Sequence, residues 1–421
     1  MKEIKPRPHI DATVRIPGSK SITHRSVIAA GLAREGSRIL GFLPCQDTSY
    51  TINALRELGI QISIEGEDMK VIGSGGRFIP PSNRKEFYLG NSGTSMRLLL
   101  STVSLATGEF LLIGSPQMLL RPVEGLVDAL NQLGVEAFCL EQNGCPPVLV
   151  RARGIKGGKV TISGQKSSQY VSSLLLSGPY AEKGIEIEVT GGLVSEPYVD
   201  ITIEVMREFG ISVIRNGYRY FRVPAGYGYL PCQFSVEGDV SGASYFWAAA
   251  AVTGGMVTTE NIRPYSTKQG DIGFLEIIKE MGCQVRREID RVIVYGGLLS
   301  GIELDMAAMP DMVPTLSAIA LFANGKTVIR NVSHLRHKES NRLRAIALEW
   351  SKLGGRVEEL VDGLIIHGGR RLCGTTVESH YDHRLAMSLS VIGLKVPGIK
   401  IEAEHCVNKS FPRFWELWDR L

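Results

Sequence analysis

The sequence predicts an α/β protein of two lobes, made from six copies of one unit of about 70 residues. Three observations predict it. A loop-to-helix pattern recurs along the chain, and a second marker, a helix-stopping glycine, keeps the same beat. The 421 residues also exceed the roughly 250–300 at which a single core stops growing. Three units to a lobe is the natural division.

The pattern first appears as Pro17-Gly18-Ser19-Lys20-Ser21-Ile22-Thr23-His24-Arg25, leading into Val27-Ile28-Ala29-Ala30. Glycine permits a tight approach, serine caps, and the open N–H groups at a helix start favour an anion. Copies follow at Gly90-Asn91-Ser92-Gly93-Thr94-Ser95, Gly164-Gln165-Lys166-Ser167-Ser168-Gln169 and Gly238-Asp239-Val240-Ser241-Gly242. Weaker ones stand at Pro310-Asp311-Met312 and Tyr381-Asp382-His383-Arg384. The starts at 18, 90, 164, 238, 310 and 381 lie 71 to 74 residues apart.

The second marker is Leu58-Gly59, Leu133-Gly134, Phe209-Gly210, Met281-Gly282 and Leu353-Gly354, where glycine takes the left-handed conformation that ends a helix. Each unit therefore holds strands and two helices. The fourth unit begins near Val236-Glu237-Gly238-Asp239. The expected lobes are 18–235, with units one to three, and 1–17 together with 236–421, with units four to six. Alternating Ile10, Thr13, Val14 and Ile16 predict a strand that crosses back.

Apolar residues make up 44% of the chain, which suits two ordinary globular cores. Cations and anions are interspersed, at 47 to 43, with neither a basic tail nor an aromatic-studded basic stripe. That balance speaks against nucleic acid and is compatible with small acidic ligands. No signal peptide or membrane span is visible, and the apolar run 244–252 is too short for one. Seven dispersed cysteines without metal-ligand spacing read as reduced thiols of an intracellular protein.

A buried helix of small residues has no packing reason to carry charge in its first turn. Yet Lys20, Arg25, Arg97, Asp311, Asp382 and Arg384 stand at or near the repeated starts. Singly, each can cap a helix or pair on the surface; if the starts converge on one cleft, the charges converge too. In the basic stretch 330–344, Lys338, Glu339 and Arg342 fall within about one helical turn. A carboxylate among cations is held ionised, as suits proton transfer in a site for polyanions. Arg121, beside Pro122, and Lys409 add two more cations. His380-Tyr381-Asp382-His383 lacks a further cluster of metal ligands and has Arg384 alongside, so no metal is expected. Neither the Gly-x-Ser-x-Gly elbow nor a full P-loop is present. The residues alone thus reach a two-lobed protein whose cleft binds phosphorylated or carboxylated metabolites.

Six segments carry a resemblance to a known family: Gly18-Ser19-Lys20-Ser21, Leu89-Gly90-Asn91-Ser92-Gly93-Thr94, Leu193-Val194-Ser195-Glu196-Pro197-Tyr198, Lys338-Glu339-Ser340-Asn341-Arg342, Asp382-His383-Arg384-Leu385-Ala386-Met387 and Lys409-Ser410-Phe411-Pro412. Nearly end to end, the chain resembles the 5-enolpyruvylshikimate-3-phosphate synthases. The resemblance implies a two-lobed inside-out α/β barrel of six βαβαββ repeats, three per lobe, with helix N-termini facing the cleft. It implies transfer of the enolpyruvyl group of phosphoenolpyruvate to the 5-hydroxyl of shikimate 3-phosphate, with release of phosphate, by a cytoplasmic monomer without cofactor or metal. By matching position, Lys20, Ser21, Arg25, Ser167, Ser168, Gln169, Ser195, Tyr198, Asp311 and Lys338 resemble the shikimate 3-phosphate ligands. Lys20, Gly93, Arg121, Gln169, Arg342, Arg384 and Lys409 resemble the phosphoenolpyruvate set. Asp311 resembles the base, Glu339 the acid, and Lys20 their electrostatic partner.

Two positions depart from many members: His334 replaces an Asn at a shikimate contact, and Leu98 replaces a Pro after Arg97. The sister transferase acting on UDP-N-acetylglucosamine carries a Cys acid in the loop ahead of the Arg-Pro. Here the loop 114–120 has none. A non-catalytic metabolite binder on the same scaffold is the other alternative, and it has no need of both Asp311 and Glu339.

Overall fold

The computed structural model describes residues 1–79 and 83–421. It divides into two compact units, Gly18–Val236 and Met1–Pro17 with Glu237–Leu421. Each has its own apolar core, one gathered around Leu98, Leu174 and Phe209 and the other around Trp247, Ile319 and Leu389.

In the unit Gly18–Val236, three four-stranded sheets share one strand order. In the second of them Lys85–Tyr88 runs parallel to Thr107–Ile113, which pairs antiparallel with Val148–Arg153, itself antiparallel to Glu136–Cys139. Helix Gly93–Ser104 makes the crossover between the parallel strands, and helix Glu124–Gln132 leads into the hairpin. A parallel pair needs such a crossover and an antiparallel pair only a turn, so the order follows from the βαβαββ chain path. Among the described residues none of the six sheets closes into a barrel.

The first sheet of this unit is completed out of sequence. Asp11–Arg15, the strand before helix Lys20–Leu32, pairs instead in parallel with Met256–Glu260 in the other unit's first sheet, with Thr13 opposite Thr258. Its place beside Gly36–Leu40 is taken by Gln233–Ser235. In the last sheet the hairpin is missing, and Lys2–Glu3 pairs antiparallel with Lys400–Glu402. The alternation around Ile10 to Ile16 is therefore a strand, as expected.

Helices Lys20–Leu32, Gly93–Ser104 and Ser168–Ser177 pack together in the middle of one unit, and Val240–Thr253, Val313–Ala320 and His383–Gly393 in the middle of the other. They are buried on all sides, which accounts for sequences rich in Ala, Ser and Leu without a polar face. Small hydroxyls let them approach: Ser101 and Ser173 meet Oγ to Oγ at 2.6 Å. Leu98 is a wholly buried member of this packing. All five marker glycines lie at positive φ, from 82° at Gly210 to 119° at Gly282.

One expectation needs correcting. Lys338 and Glu339 do not share a helix with Arg342. That helix, Arg342–Lys352, begins at Arg342, because the Asn341 side chain accepts from Arg344 N at 3.2 Å and caps it there. Lys338 is extended, at the end of the 3-10 turn Ser333–His337.

Candidate active site

In the unit Gly18–Val236, the expected residues gather at the N-termini of its three central helices. Lys20 opens the first and reaches Asp47 Oδ2 at 3.1 Å. Asp47 is buried in the first turn of helix Gln46–Glu57, and its carbonyl accepts from Ser95 Oγ at 3.0 Å. Ser95 in turn meets Ser92, which caps helix Gly93–Ser104. Ser19, by contrast, caps with its backbone only.

Arg121 lies across the start of that second helix. Its Nη1 donates to Asn91 O at 2.9 Å and Asn91 Oδ1 at 3.1 Å. A Cβ on Gly93 would stand 2.6 Å from Arg121 Nη2, so only glycine leaves the guanidinium its place. Gln169, in the first turn of helix Ser168–Ser177, donates to Thr94 Oγ1 at 3.0 Å and accepts from Arg97 Nη1 at 2.7 Å. Arg97 also donates to Pro122 O at 2.9 Å, which ties the Arg121-Pro122 segment to the third helix start. Ser167 caps that helix by accepting from Gln169 N at 3.3 Å, and Ser168 is buried beside it.

Arg25 is the deepest cation of this unit, 1% exposed, and its hydrogen bonds go to neutral oxygens: Ser21 O at 2.8 Å, Thr202 Oγ1 at 2.7 Å, Tyr198 O at 3.2 Å and Ser172 Oγ at 3.4 Å. Burial brings its pKa down to about 10, opposed by Tyr198, and at neutral pH it stays charged. Ser195 is held at φ 55°, in the left-handed region that strains a residue with a Cβ.

The second group lies in the other unit and centres on Arg342, also 1% exposed. Its guanidinium donates to three carboxylates: Asp382 Oδ2 at 2.8 Å, Asp311 Oδ1 at 2.8 Å and Glu339 Oε2 at 2.9 Å. Arg384 donates to the other Asp311 oxygen at 2.8 Å, and Lys409 stands 3.7 Å from Glu339. Asp382 caps helix His383–Gly393 through Arg384 N at 3.0 Å, so one carboxylate orients both arginines. Burial alone would raise Asp311, yet Arg384, Lys338 and Arg342 together hold it well below the usual carboxylate range. Asp311 is therefore in the unprotonated form that a proton acceptor needs, while the same cations weaken it as a base.

His334 faces the same charges. Burial, with Lys338 and Arg342, brings its pKa to about 4 against the pull of Asp311, and its Nε2 is buried without a hydrogen-bond partner among the described residues. Behind Arg384 lie Tyr245, at 3.5 Å, and Asp271, a buried acid bonded to Ser241. Burial first and the Asp311 charge second raise Asp271 to about 7.

The sequence reading missed three of these. Asp47 stands in a first turn where an acid is unremarkable. Asp382 was noticed only as a helix start, and its partner Arg342 lies 40 positions away. Asp271 follows Gln269-Gly270, and nothing in that short turn announces a buried acid.

Comparison with known proteins gives one answer. The family described as EPSP synthase (3-phosphoshikimate 1-carboxyvinyltransferase) matches residues 4–418. The 3-phosphoshikimate 1-carboxyvinyltransferase of Syntrophobacter fumaroxidans is 43% identical over 422 residues, covering 100% of this chain and 99% of its own. That of Vibrio vulnificus is 39% identical over 415 residues, covering 98% and 97%. A solved EPSP synthase from Acinetobacter baumannii aligns with a TM-score of 0.82 at 29% identity, over 99% of this chain and 97% of that one. On this evidence from fold, family and full-length relatives, the chain belongs to the EPSP synthase family.

Proposed function

We propose that the two groups of side chains, one on each unit, serve to bind shikimate 3-phosphate and phosphoenolpyruvate. The activity is that of the family: transfer of the enolpyruvyl group from phosphoenolpyruvate to shikimate 3-phosphate, in the shikimate route to aromatic compounds. The observation that carries the site assignment is Asp311, an acid held ionised by Arg342 and Arg384.

In this reading Ser21, Arg25, Ser167, Ser168, Gln169, Ser195, Tyr198 and Lys338 hold shikimate 3-phosphate, the serines and Tyr198 around its phosphate. Gly93, Arg121, Arg342, Arg384 and Lys409 hold phosphoenolpyruvate, with Gln169 beside both substrates. Planar guanidinium forks suit its carboxylate and phosphate. Asp311 takes the proton from the attacking 5-hydroxyl as its oxygen bonds to the central carbon of phosphoenolpyruvate. Glu339 in its protonated form delivers a proton to the methylene carbon, completing a tetrahedral intermediate. The new methyl group then returns a proton to Glu339 as the C–O bond to phosphate breaks, and the departing phosphate takes the proton held by Asp311. Lys20 stabilises the charge that develops, and exclusion of water strengthens each of these interactions.

All seven cysteines are free thiols, which supports a reducing compartment, and we place the protein in the cytoplasm as a monomer. No helix among the described residues is long and apolar enough to cross a membrane. Phosphate release on mixing the protein with phosphoenolpyruvate and shikimate 3-phosphate, no metal added, tests the reading. Release with UDP-N-acetylglucosamine instead, or binding without turnover, overturns it.

A further inference from the structure

Glu349 is a wholly buried carboxylate that the mechanism above leaves unused. It stands on helix Arg342–Lys352, seven positions after Arg342. It accepts from Lys352 Nζ at 2.8 and 2.9 Å, from Glu378 N at 3.0 Å, and pairs with His380 Nε2 at 2.9 Å. Burial pushes Glu349 up, but the bonds from His380, Lys352 and the Glu378 N–H outweigh it and leave its pKa below the ordinary range. His380 is raised in return, by Glu349 first and Glu378 next, against burial and Lys352. Donor atoms of Glu349, Glu378 and His380 lie within 4.8 Å of one another, the spacing of a metal cluster, yet the cation there is the Lys352 ammonium.

The turn that His380 opens is strained. His380 and Tyr381 sit in succession at φ 52° and 53°, where a side chain with a Cβ crowds its own backbone. The next residue is Asp382, which accepts from Arg342 Nε at 2.8 Å and Ser340 Oγ at 3.1 Å. On the other side Ser379 donates to Ala403 O at 3.4 Å and accepts from Cys406 Sγ at 3.6 Å, and the Tyr381 ring meets His405 at 6.2 Å. Those residues begin the short helix that ends in Lys409. The turn thus meets Arg342 and the Arg384 backbone through Asp382, and the start of the helix that ends in Lys409 through Ser379 and Tyr381, and Glu349 grips it from the helix that carries Arg342.

We propose that Glu349 is a positioning residue: by holding His380 it keeps the 380–382 turn in its left-handed path and so keeps Asp382 against Arg342. The proposal rests on the assignment of Arg342, Arg384 and Lys409 to phosphoenolpyruvate. Its signature is a larger effect on phosphoenolpyruvate than on shikimate 3-phosphate, since the assigned contacts of the latter lie on the other unit except for Lys338 and Asp311.

The experiment measures both KM values and kcat for Glu349→Gln, for Tyr381→Gly and for the pair. Glu349→Gln raises the KM for phosphoenolpyruvate about ten-fold and leaves that for shikimate 3-phosphate within about two-fold. Tyr381→Gly removes the backbone strain together with the ring contact to His405, and added to Glu349→Gln it brings the KM for phosphoenolpyruvate back to that of Tyr381→Gly alone, which is its baseline. His380→Asn, which tolerates the left-handed path but loses the grip, repeats the effect should Glu349→Gln fail to fold. Arg384→Lys, run in parallel, must itself raise the KM for phosphoenolpyruvate. If it does not, the assignment falls and the proposal with it. If it does, while Glu349→Gln and His380→Asn keep wild-type constants or raise both KM values equally without rescue by Tyr381→Gly, the positioning role alone is overturned.

Discussion

Asp311 Oδ1 accepts from Arg342 Nη1 at 2.8 Å, and while Arg342 is only 1% exposed the Asp311 side chain keeps 15% of its surface open. Arg342 is bound by three acids while Arg384 takes the remaining Asp311 oxygen. Replacing Asp311 by Asn keeps the shape and removes the proton acceptor. We expect Asp311→Asn to lower kcat by about 10²–10⁴ with substrate dissociation constants within a few-fold, and Glu339→Gln to do likewise. Phosphate release with parallel calorimetric binding checks this, and near-normal turnover in either variant removes that residue from proton transfer.

Gly93→Ala places a Cβ 2.6 Å from Arg121 Nη2 and 2.8 Å from its Cζ. The guanidinium must swing away from the helix start and from Asn91. The KM for phosphoenolpyruvate is expected to rise about ten-fold, while the melting temperature holds or rises slightly, because alanine suits a helix better than glycine. An unchanged KM would mean that Arg121 does not face that substrate.

Arg25→Lys tests whether the deepest cation of its unit serves as a fork or as a point charge. Its four hydrogen bonds leave in different directions, and an ammonium cannot reproduce them. The KM for shikimate 3-phosphate should rise about ten-fold or more, with that for phosphoenolpyruvate little altered. Steady-state kinetics with each substrate varied in turn distinguishes the two.

Asp271 makes stability depend on pH. Its native pKa of about 7 lies above the ordinary value of 3.8, so between these the folded protein holds a proton that the unfolded chain releases. This contribution is therefore largest below pH 3.8 and is lost as the pH rises through about 7. The urea midpoint should fall from pH 5 to pH 8, and Asp271→Asn should flatten that slope while keeping a hydrogen bond to Ser241. Asp311→Asn should also flatten it, by removing the charge that helps raise Asp271. A slope unchanged in Asp271→Asn assigns it to other groups.

Much of the fold could be read along the chain because its signals are local. The glycine stops and the serine or aspartate caps depend on a few neighbouring residues, so Gly59, Ser92 and Asp239 announce themselves. Of the three strand substitutions only Asp11–Arg15 did the same, through its alternation, whereas Gln233–Ser235 reads as well for one sheet as for another and Lys2–Glu3 is too short to show a pattern. The site was legible where a charge broke an otherwise small, buried helix start, as at Lys20, Arg25 and Arg384. It was not legible where an acid serves another side chain. Asp382 and Glu349 act through partners 40 and 31 positions away, and burial, which alone explains their worth, leaves no mark on spacing. The basic run around Lys338 misled for a related reason: Asn341 caps the helix so that it starts at Arg342, four residues after the Lys338 start that charge spacing suggests.

The exchange of edge strands has a consequence for biosynthesis. Asp11–Arg15 is made long before its partner Met256–Glu260 has emerged, and Lys2–Glu3 must wait for Lys400–Glu402. The amino-terminal arm therefore stays unpaired through most of translation while Gln233–Ser235 seals the earlier unit. Severing the chain between the units strips the later one of two strands, whereas a circular permutant joining Leu421 to Met1 and opening within the 236–237 crossing keeps every strand with its partner.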